Sequence, residues 1–173
     1  MENIYDIINN TAYDYGESKT VIDCFDQQAK KHPQNNALYF LEDRMTYRDF
    51  QKKVNQLTNY LRSLQLKNEV IGVYMDRSFD MMVAIFGILK SGNIYMPISQ
   101  DYPSQRVLYV LNDSNAALVI VSKKTSLKYK NVESNVKYLN IEFEKIWYQS
   151  VECESYCMPN DFAYIIYTSG GLW

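Results

Sequence analysis

The chain has 173 residues and a mass of 20.3 kDa, enough for one domain that buries roughly 70% of its unfolded surface. Hydrophobic residues at 47% and charged residues at 22% exclude a disordered, collagen-like or mucin-like chain. Lys and Arg number 18 against 20 Asp and Glu, and a net charge of −2 calls for neither nucleic acid nor an anionic membrane as partner.

In chain order, residues 1–20 are polar and rich in Asn, Asp and Tyr, and read as a leader before a domain over 21–173. They carry neither a basic start nor an apolar core, so no secretory signal is expected. Ile22, Phe25 and Ala29 set a helical period that ends near His32-Pro33, because proline disfavours helix in the residue before it. Ala37 to Leu41 is a strand candidate, Glu42-Asp43-Arg44 a turn, and Met45 opens a second strand. The clearest helix starts at Thr46. Tyr47, Phe50, Val54, Leu57, Leu61 and Leu64 recur at spacings of three and four, and Asp49 stands where a capping partner of Thr46 belongs.

Val70 to Met75 is nearly all apolar, as in a strand covered on both faces. Ser78 caps a helix whose expected apolar face is Met82, Ile85, Phe86 and Leu89, closed by Ser91-Gly92. Its apolar run, Met81 to Leu89, is about half a membrane span. A strand over 94–98, a helix from Pro103 bearing Val107, Leu108 and Leu111, and a strand over 117–121 follow. Strands and helices alternating at this spacing predict an α/β fold with a mainly parallel sheet, flanking helices and right-handed crossovers. Residues 123–135 read as a polar loop, and Tyr138 to Ile141 and Phe162 to Tyr167 as further strands.

Cys24, Cys153 and Cys157 are odd in number, and the single His32 is remote from the close pair. Free thiols are expected, without zinc, in a cytoplasmic protein. Asp76, Asp80, Asp101 and Asp113 are scattered over turns and helix starts and read as caps. Tyr95, Tyr109, Tyr164 and Tyr167 fall on strand or helix faces and read as packing residues. No Walker-type loop, dinucleotide fingerprint or Gly-x-Ser-x-Gly elbow is present. The segment most suggestive of chemistry is the apolar run Phe162 to Tyr167 entering Thr168-Ser169-Gly170-Gly171. Hydroxyls and open backbone N–H groups at the carboxyl end of a parallel strand suit phosphate oxygens, although strands often end in Ser/Gly turns that hold no ligand, and the string alone leaves both readings open.

Four stretches together resemble the front of an amino-acid adenylation domain of nonribosomal peptide synthetases, within the acyl-adenylate-forming superfamily. They are Asn10-Thr11, Asp14-Tyr15 and Lys19-Thr20 with Phe25 and Gln28; Met45 to Phe50; Gly87 to Ile98 with Asp101-Tyr102-Pro103 and Arg106; and Asp161 to Gly170. The resemblance implies the large N-terminal subdomain of an adenylate-forming enzyme. Its activity is activation of an amino acid with ATP and Mg to an aminoacyl-adenylate, then loading onto a carrier-protein thiol. On this chain it assigns the nucleotide-binding role to Thr168, Ser169 and Gly170, and structural roles to the elements around Thr46 and Gly92. The pattern departs where Gly171-Leu172-Trp173 replaces further hydroxyl residues, a glycine and a lysine. The expectation is an incomplete domain, cut within its phosphate loop, that is inactive and without ATP on its own. A non-catalytic module that self-associates through an exposed sheet edge is the alternative. A piece of an acyl-CoA or D-alanine–carrier-protein ligase is another.

Overall fold

The computed structural model describes residues 19–168. Helix α1 (Val21–Lys31) starts in a capping box: Thr20 Oγ1 accepts from the Asp23 amide at 3.1 Å, and Asp23 Oδ2 accepts from the Thr20 amide at 2.8 Å. A hairpin of β1 (Asn36–Phe40) and β2 (Asp43–Thr46) follows. Its turn is Leu41-Glu42 rather than the expected Glu42-Asp43-Arg44, with Leu41 at φ 57°, and Asp43 already pairs with Phe40. Helix α2 (Tyr47–Ser63) is capped by Thr46, whose Oγ1 accepts from the Asp49 amide at 3.1 Å. Its predicted stripe buries Phe50, Val54, Leu57 and Leu61, while Leu64 at the end is exposed.

The core of the fold is a four-stranded parallel sheet in the order β4-β3-β5-β6, from β3 (Val70–Tyr74), β4 (Ile94–Pro97), β5 (Leu118–Val121) and β6 (Tyr138–Asn140). The predicted α/β class and its parallel strand–helix–strand–helix–strand unit are therefore observed. Helices α3 (Phe79–Lys90) and α4 (Ser104–Asp113) make the crossovers. Side-chain alternation splits the core in two. Ile71 and Val73 of β3, with Leu118 and Ile120 of β5, face α1, α2 and α3. Val70 and Tyr74, with Val119 and Val121, face α4 and the segment after β5.

Two sequence expectations change on the helical layers. The buried face of α3 is Val83, Ala84, Gly87 and Ile88, not Met82, Ile85, Phe86 and Leu89, which are half-buried. A helix that is apolar all round has no polar face to fix its rotation, so α2 decides it. The contact is tight: a Cβ on Gly87 would lie 2.8 Å from Leu57 Cδ2. Residues 123–135 are not a loop. Ser122 and Thr125 form a capping box that starts α5 (Lys123–Tyr129), a 3-10 turn (Lys130–Val132) follows, and Thr125, Tyr129 and Val132 are buried at spacings of four and three. A short helix α6 (Glu144–Trp147) precedes a strap over α2. The Asn55 amide group donates to the Val151 carbonyl at 2.7 Å and that of Asn59 to the Ser150 carbonyl at 2.9 Å. Further on, the Tyr156 amide donates to the Lys90 carbonyl at 3.0 Å, and the chain arrives at the free edge of β4.

Phe162 to Tyr167 does run parallel to β4, but as one bridge, Tyr95 with Tyr164, rather than a strand. The Tyr95 amide donates to the Ala163 carbonyl and the Ile165 amide to the Tyr95 carbonyl, both at 3.0 Å. The next β4 residue facing this edge is Pro97, which has no N–H to offer, and the ladder stops there. Phe162, Tyr164 and Ile166 point away from the core and are 80%, 61% and 58% exposed. No helix among the described residues is long and apolar enough to cross a membrane.

Candidate functional site

The bridge to β4 carries the chain toward the carboxyl end of the sheet and delivers Thr168, exposed, at that end. Ser169 and Gly170, the other two predicted nucleotide contacts, lie outside the described residues. Helix α4 underlies this exit. Ile165 and Tyr167 pack on the core face formed by Val107 and Leu111. Tyr167 donates its hydroxyl proton to Asp113 Oδ2 at 2.6 Å, and the Tyr102 hydroxyl donates to the Tyr167 carbonyl at 3.4 Å. Arg106 completes the arrangement: its Nη2 donates to the Thr168 carbonyl at 3.3 Å. Its guanidinium carbon stands 5.9, 5.3 and 6.0 Å from the ring centres of Tyr102, Tyr109 and Tyr167, within cation–π range.

The third and fourth stretches read from the sequence thus meet in space, the Tyr102-Pro103-x-x-Arg106 turn against Tyr167-Thr168. Sequence reasoning gave the residues that join them no part in the site. Arg106 was only a letter in a motif, and Asp113 was read as a cap although it is the acceptor for Tyr167. Part of their signal was present: Arg106 and Tyr109 are three apart, so one face of α4 carries both, while Tyr102 joins them from the loop before the helix. Burial, and secondarily the hydrogen bond and charge of Asp113, push the Tyr167 phenol up to about 12. It therefore keeps its proton at neutral pH and acts as a fixed donor, not as a base.

Other titratable groups are committed elsewhere. At the carboxyl ends of β3 and β5, Asp76 accepts from Lys124 at 2.6 Å and Gln100 at 2.7 Å, and Lys128 donates to the Gln100 carbonyl. The hydrogen bond from Lys124 holds the Asp76 carboxyl below its ordinary value. Asp80 pairs with Lys53 at 3.3 Å. Neither carboxylate is the cap that the sequence suggested. Burial raises the Cys153 and Cys157 thiols, which keeps them un-ionised at neutral pH and poor nucleophiles. All three cysteines are free.

The arrangement fits a phosphate group. The exposed Thr168 hydroxyl and the nearby guanidinium can both donate to phosphate oxygens, and no carboxylate among the described residues pairs with Arg106 within 4 Å. No cluster of three metal-ligating side chains occurs among the described residues.

Comparison with known proteins shows the family. The AMP-binding enzyme family matches residues 25–171. Gramicidin S synthase 2 of Brevibacillus brevis is 35% identical over 168 residues, which is 96% of this chain and 4% of that protein. The nonribosomal peptide synthetase FmoA3, in its AMPPNP-bound form, superimposes with a TM-score of 0.84 at 24% identity, over 96% of this chain and 18% of that one. The N-terminal subdomain of Klebsiella oxytoca NpsA does so at 0.75 and 23% identity, over 90% of this chain and 40% of that one. The chain belongs to the AMP-binding enzyme family. Within it, the relatives bear out the resemblance to the adenylation domains of nonribosomal peptide synthetases. It spans a small fraction of their own length.

Proposed function

We propose that these residues form one wall of the nucleotide site of an amino-acid adenylation domain. The whole protein would activate an amino acid with ATP and pass it to a carrier-protein thiol. The observation that carries this reading is the delivery of Thr168 to the carboxyl end of the sheet beside Arg106.

Attack of a carboxylate on the α-phosphate shifts negative charge onto phosphate oxygens, and fixed donors aimed at those oxygens lower the barrier. The Thr168 hydroxyl, with Ser169 and Gly170, supplies donors of this kind, and Gly170 lets the backbone approach closely. Arg106 and Tyr167 hold the segment that carries them. Magnesium, when bound with ATP, neutralises phosphate charge; its ligands belong to residues beyond this wall. The chain covers 40% of a comparable N-terminal subdomain, which supports placing the rest of the pocket, and hence the activity, in a longer protein.

Amino-acid-dependent exchange of pyrophosphate into ATP tests the reading. The longer protein carrying this sequence is expected to exchange with at least one amino acid, and the 173-residue polypeptide with none. Absence of exchange in the longer protein across all proteinogenic amino acids, or exchange by the short one, would contradict it.

A further inference from the structure

We propose that Arg106 is a positioning residue: it grips the Thr168 carbonyl from within a cage of three tyrosines and holds Thr168 in place at the carboxyl end of the sheet. The proposal rests on the reading of Thr168-Ser169-Gly170 as the phosphate site.

Arg106 is the last restraint on the described part of the segment. Upstream, the segment is tied to β4 by two backbone bonds, the later of them at Ile165. Pro97 removes the bond that would continue the ladder. Beyond Ile165, the side chain of Tyr167 bonds Asp113 and packs on the core, and Arg106 holds the Thr168 carbonyl. Tyr102 adds a weaker bond to the Tyr167 carbonyl at 3.4 Å. Helix α4 thus does work that β4 cannot do.

The guanidinium suits this task. It is planar, permanently charged and able to donate while lying among aromatic rings. Tyr109 and Tyr167 meet edge to face, their ring centres 6.4 Å apart at 83°, which gives the cage a fixed shape. A carbonyl held by a charged donor fixes the orientation of Thr168 itself at the end of the segment. A lysine could donate one bond but could not fill the cage.

Two measurements test this. In the 173-residue polypeptide, Arg106→Ala is expected to speed hydrogen exchange of the Ile165 amide, the hydrogen-bonded amide of the 165–168 segment, about tenfold, with exchange in β3 and β5 unchanged. In the longer protein, Arg106→Ala is expected to raise the KM for ATP about tenfold with the amino-acid KM unchanged, and Arg106→Lys to recover part of the loss. Uniformly faster hydrogen exchange, or none faster at Ile165, overturns the proposal. So does an unchanged ATP KM in an otherwise active Arg106→Ala enzyme. If the unsubstituted longer protein shows no exchange activity, the phosphate-site reading itself falls, while the hydrogen-exchange arm still shows whether Arg106 holds Thr168.

Discussion

Asp26→Ala is expected to destabilise the fold by about 3 kcal/mol, the cost of leaving a buried charge without its partner. Lys90 sits at the end of α3 with 1% of its side chain exposed, and its Nζ contacts both Asp26 carboxylate oxygens, at 2.8 and 2.7 Å. In a chain of this size that loss lowers the unfolding midpoint by roughly 6–12 °C. The reverse change, Lys90→Met, is expected to cost much less. Asp26 remains 29% exposed and keeps the hydrogen bond from Gln51 at 2.9 Å, and the methionine refills the buried channel. Thermal unfolding of the two variants side by side checks the asymmetry. Equal losses would show that Lys90 reaches water or another partner once Asp26 is gone.

Gly87→Val is expected to cost about 2–3 kcal/mol by overpacking the crossing of α2 and α3. A Cβ there would meet Leu57 at 2.8, 3.0 and 3.2 Å, counting outward atoms first, and the last of these is Leu57 Cβ, which rotation of the side chain cannot move. Leu57 is fully buried, so Leu57→Ala alone leaves a cavity and costs about 2–5 kcal/mol. Combined, the two changes should fill each other's defect. Denaturant unfolding of the single and double variants should give a double loss smaller than the sum by 1 kcal/mol or more. Simple additivity would mean that the helices do not approach as closely as described.

The sheet was legible in the sequence because its strands are short apolar runs separated by helices with clear starts. Thr20, Thr46 and Ser78 each stand just before a helix, and each side chain accepts a backbone N–H in its first turn. The apolar stripe of helix α2 was legible at Phe50, Val54, Leu57 and Leu61, but not the burial of Asn55, Gln56 and Thr58, two of which lie under the strap that follows α6. The buried face of helix α3 was not legible: with apolar residues on every side, only its packing against Leu57 reveals which face is buried. The 123–135 segment misled because lysines dominate its composition, whereas the three buried residues that make it helical are Thr125, Tyr129 and Val132, two of them polar-tipped. At the site, the string Tyr167-Thr168-Ser169-Gly170 was visible from the start. Its supports were not, because Arg106 and Asp113 lie 62 and 54 residues away in sequence from their partners. Only the parallel placement beside β4 brings them together.

The central claim is that Thr168 and the two residues after it face the phosphates of ATP. The most direct measurement is a crystal structure of the longer protein with magnesium and a non-hydrolysable ATP analogue. A phosphate oxygen within about 3 Å of the Thr168 hydroxyl or of the amides that follow it, with Arg106 still on the Thr168 carbonyl, is the predicted result. Phosphates seated elsewhere, with Thr168 left in solvent, would contradict it.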